Sequence, residues 1–571
     1  MSVKLSLEEL ADEVIETDFL IIGGGLAGCT AAIKAKDNKN IDVTILEKAA
    51  VRRSGECGAG MDHYPAIAHP KINEVSPDEY GRVRAADFGG LASTKLSIIT
   101  ARDIIKPIAL LEDIGVKLRE EDGKYRLLPG RSPKGDFILY RGADLKLKLA
   151  AEVSKRGVRV FDRTMCTNLI TKDGAVVGAT AVNVRDGRFF VFKAKAILLS
   201  TGGIQRLYGY PFATFPNNLF MAYQVATNVG DGTAMAYRAG AKLTNMEYTY
   251  VHIGLAGWPQ GAHVRHAVPI KNSKGKILEE KYATKVRERY GLGGFYPWTN
   301  LAYMPDMAKA EAVKDVLYHD ATETPDETET YGLFMAANET PMGVKIIRDR
   351  GGLRTAPFEM RDWISGLFRS FSGVMFDEKG ETSVKGLFVA GDIQGGVPGY
   401  GASGAQTWGY RIASYLREYV PNTEKPSFDA EQIRQVQAER KRIRAPLGRK
   451  EGVDPLELED YIRKVMQHYV QIYKMEPKLK RAVELMSVVQ EKFVPALAAS
   501  NPHELMRTIE VQNIVDIAKL HAQTALLRTE TRMPPYHYRV DYPEQDDVHW
   551  RKNIVLQNVD GEMKYTLGTL E

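Results

Sequence analysis

Three glycines, Gly23, Gly25 and Gly28, stand in the run GGGLAGCTAAIKAK at the spacing G-x-G-x-x-G. Between a strand and a helix this spacing has a mechanical meaning. The first glycine permits a tight turn, the second lets a pyrophosphate approach the backbone, and the third lets helix and strand pack closely. The free N–H groups of the helix start then face an anion. Glu47 follows 19 residues after Gly28, where a carboxylate can accept both hydroxyls of an adenosine ribose. An acid there favours an unphosphorylated ribose, so FAD or NAD is expected over NADP.

The elements needed to hold these residues are present on both sides of them. Thr17 to Ile22 (TDFLII) is a short, apolar, β-rich run that enters the glycines directly, and Asp42 to Leu46 (DVTIL) is a second such run ending at Glu47. Ala196 to Leu199 reads as a buried strand ending in Ser200-Thr201-Gly202-Gly203, and GLFVAGD (Gly386 to Asp392) as another ending in glycine and an acid. Both are expected in the same sheet. Asp122-Gly123, Asp173-Gly174 and Asp186-Gly187 mark hairpin turns, so the stretch from Met165 to Leu199 reads as a meander covering that sheet. After about Pro426 the pattern turns helical. Asp454-Pro455 with Glu457 starts one helix, with Leu458, Tyr461, Ile462, Val465, Tyr469 and Ile472 at three- and four-residue spacing; Asn501-Pro502 opens another.

At 571 residues the chain should hold two or three substructures. Its net charge of +5 is too small to suggest a nucleic-acid partner, and no stretch approaches the ~20 apolar residues that span a bilayer. Cys29, Cys57 and Cys166 lie far apart, which supports neither a disulfide framework nor a metal or iron–sulfur site borne by the chain. The acidic N-terminus has no apolar signal region, so a cytoplasmic location is expected, with any membrane contact peripheral and through a partner.

Several groups of residues together resemble the flavoprotein subunits of succinate dehydrogenase and fumarate reductase: Gly23 to Gly28, Glu47-Lys48, Arg53-Ser54, Ser200-Thr201-Gly202-Gly203, Gly230-Asp231-Gly232, Met246-Glu247 and Gly391-Asp392. The stretch RTETRMPPYHYRVDYPEQDDVHW resembles that family's arginine-rich closing segment. EKAAVRRSG, NVRDGRFFVFKAKAILLSTGG and GLFVAGDIQGGVPGYGASG are most similar to the α subunit of dissimilatory adenylylsulfate reductase. The resemblance implies an α/β fold in which residues 1–245 and 355–425 form a Rossmann-like FAD-binding domain. Residues 246–354 form an inserted capping domain and 426–571 a C-terminal helical domain.

It also implies FAD, with Glu47 at the adenosine ribose, Asp392 at the ribityl chain, and Ser54 with Gly203 along the isoalloxazine and its linker. Lys48, Arg53, Thr201, Gly202, Asp231 and Ser403 complete the cofactor set. The family's covalent flavin link needs a histidine after Arg-Ser; this chain reads Arg53-Ser54-Gly55-Glu56, so non-covalent FAD is expected. The implied activity is two-electron exchange with a small anionic substrate and with a separate iron–sulfur or ferredoxin-like partner.

His252 ends the segment MEYTYVH, which follows the family's strand to a substrate-binding histidine. Arg265, between His263 and His266 in an expected cap loop, is a second candidate anion ligand, and Tyr400 and Arg354 complete the candidate catalytic set. Two departures stand out. NLAYMPDMAKAEAV occupies the place of the family's proton-delivering arginine, and Gly395 to Gly404 lacks the family's histidine and arginine. A substrate other than succinate or fumarate is therefore favoured. Adenylylsulfate reduction, succinate or fumarate chemistry and a non-catalytic flavin-binding role stay open as alternatives. A basic run from Arg434 to Lys450 reads as a candidate docking face for the redox partner.

Overall fold

The apolar run before the glycine turn forms the end of a longer strand, β1 (Glu13–Ile22), whose first residues alternate in exposure and whose last four are buried. The chain turns into α1 (Leu26–Ala35) and returns as β2 (Val43–Glu47), parallel to β1. This unit is the βαβ arrangement that the glycine spacing predicts. The structure is a computed structural model. It describes residues 6–61, 63–128, 130–208, 225–255, 270–276, 287–289, 291–294, 315–323, 325–326, 333, 341–534 and 536–570.

A helix, α2 (Leu145–Lys155), leads to β3 (Arg159–Asp162), which adds to β2. Next come β4 (Thr164–Lys172), β5 (Ala175–Asn183) and β6 (Phe189–Leu199). Here the structure corrects the sequence reading: the meander extends the sheet instead of covering it. β6 runs parallel to β1 over its length, while its first half pairs antiparallel with β5 and its last residues pair with the strand Leu387–Val389. The tight turns at Asp173-Gly174 and Asp186-Gly187 leave no chain to cross into another layer, so successive strands bond edge to edge. The Asp122-Gly123 turn is present, closed by Glu120 N–H on the Lys124 carbonyl at 2.8 Å, but no strand precedes it.

Beyond α3 (Asp231–Arg238), the chain leaves this sheet. β7 (Thr249–Leu255) pairs antiparallel with β8 (Phe358–Leu367), and two short strands, Ile270–Asn272 and Leu317–His319, complete a separate four-stranded sheet. The strand Leu387–Val389 then brings the chain back beside β6, and α4 (Gly401–Tyr419) crosses directly over α1. A side chain at Gly409 would meet the Ala27 carbonyl at 2.3 Å, so glycine there sets how closely the two helices approach.

The C-terminal helices start where the sequence reading sets them. Asp454 caps α5 (Pro455–Tyr469), accepting N–H groups from Leu456 at 2.7 Å and Glu457 at 3.2 Å. Asn501 caps α6 (Pro502–Leu527) through the Glu504 N–H at 3.0 Å. Leu458, Ile462 and Val465 are buried as their spacing requires, whereas Tyr461 is 42% exposed. The region is not helical to its end. β9 (Asn553–Val559) and β10 (Glu562–Gly568) form a hairpin around Asp560-Gly561, and β9 pairs with the two-residue strand Leu243–Thr244. Alternation in NIVLQNV and EMKYTLG around an Asp-Gly turn is the signal that a purely helical reading of 426–571 passed over. Among the described residues no helix is long and apolar enough to cross a membrane.

Candidate functional site

The glycine turn is held rigidly from below. Gly23 has φ +103°, and a side chain there would meet the Ser200 carbonyl at 2.4 Å; one on Gly28 would meet the Gly23 carbonyl at 2.0 Å. The Gly24 carbonyl accepts from Lys146 Nζ at 2.6 Å, Ser54 Oγ at 3.2 Å and Cys29 Sγ at 3.2 Å. The Gly24 N–H donates to Glu47 Oε2 at 2.8 Å, and the Ala49 N–H donates to Oε1 at 2.7 Å. The two peptide groups on either side of the Gly24 Cα are therefore each fixed by a charged side chain. At Gly25, the N-cap of α1, no side chain caps the helix, and an added Cβ would meet nothing closer than the Gly55 Cα at 3.9 Å. The unpaired N–H groups of the first turn thus open onto space bounded by glycine, a cradle that fits the pyrophosphate of FAD.

Lys146 is the member of this arrangement that sequence reasoning missed. It is fully buried and also donates to the Val51 carbonyl and, at 3.3 Å, to Cys29 Sγ. Its signal was available: Leu145, Leu149, Ala150 and Val153 form the buried face of α2, and Lys146 lies on that face.

A second convergence lies at the ends of β6 and Leu387–Val389. Gly202 has φ +77°, and a side chain there would meet Asn228 Nδ2 at 2.7 Å. Asn228 Nδ2 donates to Glu56 Oε1 at 2.8 Å. Gly203 faces Asp392 Cβ and Arg369 Cγ, which would stand 3.6 and 3.7 Å from an added Cβ. Asp392 Oδ1 accepts from Ser370 Oγ at 3.3 Å. Arg369 donates to Tyr250 Oη at 2.6 Å and lies 4.6 Å from the centre of that ring. Gly202, Gly203 and Asp392 are thus joined by Glu56, Asn228 and Arg369, none of which the motifs single out, while Ser54 stays at the glycine turn.

Other expected residues are engaged differently. Lys48 pairs with Asp231 at 2.7 Å and with Glu510 at 2.8 Å, and Asn513 Nδ2 donates to Asp231 at 2.8 Å, so this pair ties β2 and α3 to α6. Arg53 donates to the carbonyls of Gly58 at 3.0 Å and Ala143 at 3.2 Å. Thr201 stands beside Gly232, whose Cβ would meet its Oγ1 at 2.2 Å. Ser403 is buried and donates to the carbonyls of Pro65 at 2.6 Å and Tyr400 at 2.8 Å.

Among the four substrate candidates, Tyr400 is buried with its hydroxyl on the Ser97 carbonyl at 3.0 Å and the Arg84 guanidinium 4.4 Å from its ring centre. Burial pushes its phenol up, against the pull of Arg84. Arg354 is paired with Asp326. His252 lies in β7, its backbone in register with Trp363. Arg265 lies outside the described residues. The described residues do not bring these four together.

The closing arginines are structural in their contacts. Arg528 donates to Glu247 at 2.7 Å and Glu530 at 2.8 Å, and Arg532 to Glu530 at 2.6 Å, all four side chains buried. The basic run is interleaved with acids in space: Arg442 pairs with Glu439 at 2.7 Å, Arg434 with Glu431 at 2.5 Å and Arg444 with Asp12 at 3.6 Å.

Comparisons with known proteins bear on the fold and on the cofactor. An FAD binding domain family matches residues 18–269, and the fumarate reductase flavoprotein C-terminal family matches 459–569. An uncharacterized FAD-dependent oxidoreductase of Methanocaldococcus jannaschii is 29% identical over 562 residues, 95% of this chain and 96% of that one. A chain of the fumarate reductase (CoM/CoB) of Methanothermobacter marburgensis is 26% identical over 576 residues, covering 96% of this chain and 98% of that one. The structure of adenylylsulfate reductase from Archaeoglobus fulgidus superimposes with a TM-score of 0.82 over 98% of this chain and 96% of that one at 24% identity, so the fold is shared.

Proposed function

Since this chain belongs to the fumarate reductase and adenylylsulfate reductase family of FAD-dependent oxidoreductases, we infer that it moves two electrons between a small anionic substrate and a separate redox partner at a non-covalently held FAD. FAD supplies the two-electron chemistry when bound. The chain's own residues bind and orient. The uncapped start of α1 and Glu47 take the pyrophosphate and adenosine ribose, Asp392 takes the ribityl chain, and Ser54 and Gly203 flank the ring system.

The observation that carries the anionic substrate is Arg369. It stands against Gly203, and its guanidinium lies on Tyr250, two residues before His252 on β7. A guanidinium oriented by a phenol beside the flavin edge is suited to a carboxylate or sulfo group. His252 and Arg265 are proposed to complete the clamp from a cap made of residues 246–354. Gly55 supports non-covalent FAD, since it offers no imidazole. An iron–sulfur or ferredoxin-like partner, which the family relationship favours, is proposed to carry electrons onward, in the cytoplasm or at the membrane's inner face.

The test is anaerobic. The reduced holoenzyme is mixed with fumarate, adenylylsulfate and other small unsaturated dicarboxylate or sulfo anions, and flavin reoxidation is followed by absorbance. Reoxidation by one anion class that weakens at least tenfold in Arg369→Met, with FAD content unchanged, supports the assignment. Reoxidation by none of them, or rates indifferent to Arg369, overturns it.

A further inference from the structure

β8 ends at Leu367, and the chain then reverses in a tight turn closed by the Ser372 N–H on the Phe368 carbonyl at 2.7 Å. Phe368 and Phe371 fall back into one aromatic cluster with Phe88, their own ring centres 5.7 Å apart, while Arg369 between them goes to Gly203 and Tyr250. The residue that makes this division possible is Ser370. Its φ of +58° lies in the left-handed region that favours glycine. A glycine would take this conformation at lower cost, and what the serine adds is a hydroxyl that donates to Asp392 Oδ1 at 3.3 Å. The backbone repeats the tie: the Ser370 N–H donates to the Asp392 carbonyl at 3.2 Å, and the Ser370 carbonyl accepts from the Val397 N–H at 3.0 Å. Ser370 is buried, so these bonds are made away from bulk water. One strained residue thus adjoins Arg369 in sequence and grips Asp392 in space.

We propose that Ser370 is a positioning residue that couples the anion ligand to the cofactor ligand: an anion on Arg369 is felt at Asp392 through the serine hydroxyl, and FAD is held more tightly for it. The assignment rests on the FAD and anion sites inferred above. An anion that fixes the Arg369 guanidinium removes freedom from the turn, and Ser370 then presents its hydroxyl to Asp392 in a single geometry. A carboxylate already oriented loses less freedom when the ribityl hydroxyls arrive. Linkage makes the effect reciprocal, so bound FAD tightens the anion by the same factor. The hydroxyl carries the coupling and the left-handed backbone places it, and substitutions at the one position separate these two parts.

The experiment uses the oxidised holoenzyme. Release of FAD on serial dilution is followed by flavin fluorescence, alone and with fumarate or sulfate as carboxylate and sulfo probes. One of the two anions should lower the FAD dissociation constant of the wild type by about fivefold or more. That factor should fall to near unity in Arg369→Met, Ser370→Ala and Ser370→Gly, and persist in Ser370→Thr, which keeps the hydroxyl. Melting temperatures should follow a different order: Ser370→Gly relaxes the turn and melts no lower than Ser370→Ala, while Ser370→Thr, β-branched at a positive φ, melts lowest. Coupling kept by Ser370→Gly or lost by Ser370→Thr overturns the proposal, as does a wild type whose FAD affinity ignores both anions. An anion effect lost in Arg369→Met but intact in Ser370→Ala and Ser370→Gly overturns the Ser370 assignment alone. An anion effect indifferent to Arg369, or a purified chain that holds no FAD, overturns the underlying site reading and the assignment with it. Should the alanine or threonine variant fail to fold, Ser370→Gly, which relieves the strain, decides the matter.

Discussion

Lys146 inserts a buried ammonium under the Gly24 carbonyl, and Glu47 holds the preceding peptide through the Gly24 N–H. Replacing Lys146 by Met leaves the Gly24 and Val51 carbonyls short of a donor inside the core, and we expect a loss of about 1–3 kcal/mol in apoprotein stability, measured by urea denaturation. Glu47→Gln turns an amide NH₂ toward one of two backbone N–H donors; FAD affinity should fall by about 1–3 kcal/mol, read as a higher dissociation constant in fluorescence titration. A third residue governs pH response. Lys474 is buried against Thr249 Oγ1 at 3.1 Å, and burial, with Arg539 adding to it, lowers its ammonium to about 7. Above about pH 7 the unfolded chain binds this proton and the folded chain does not, so stability should rise with pH until the unfolded lysine also titrates near ~10.4. Lys474→Met should flatten that rise by about 2 kcal/mol between roughly pH 7 and pH 9 in parallel denaturation curves. At this scale the glycines and Glu47 were legible because backbone geometry restricts which residues can stand there. Lys146 left a legible sign, a lysine on the apolar face of its helix, but not its partners; Glu56 and Arg369 left none, since each acts through a contact made only after distant segments meet.

Between elements, a buried ion network joins the end of β2 and α3 to α5 and α6. Glu510 on α6 accepts from Lys48 at 2.8 Å, Arg206 at 2.9 Å and Arg507 at 2.7 Å, and Arg206 and Arg507 also reach Glu459 on α5. Desolvation pushes the Glu510 carboxyl up, but the three cations outweigh it and hold it down to about 2. Its stabilisation is complete above the ordinary carboxylate range and drains away as pH falls toward about 2. Glu510→Gln leaves three buried or half-buried cations undercompensated, and a loss of about 3–5 kcal/mol is expected, with thermal melting as the measurement and a flattened acid limb as its companion sign. Lys48 and Asp231, expected at the cofactor, belong to this network. Their motif positions were readable in the sequence, but their partners, some 460 residues away in one case, were not. Helix starts, in contrast, are set by caps two and three residues distant, which is why Asp454 and Asn501 were read correctly.

For the molecule as a whole, the mode of flavin retention is the sharpest expectation. With Gly55 where a covalent imidazole would have to stand, acid precipitation should release all of the flavin, and no fluorescence should remain with the polypeptide on a denaturing gel. The α/β sheet, its return strand and the C-terminal helices could be read from local pattern. The closing hairpin could not be assigned its place, because its partner is a strand of only two residues, Leu243–Thr244, with no periodicity to detect.

That late pairing has a consequence for synthesis. A ribosome working at ~5–20 residues per second makes roughly 300 residues between Leu243 and its partner Leu556, an interval of about 15 to 60 seconds. One edge of Leu243–Thr244 is met earlier by Gly373–Val374, but the other waits for β9, and Glu247 waits for Arg528 for most of that time. The nascent chain therefore emerges with its centre unfinished, and the length of that interval sets its demand on chaperones.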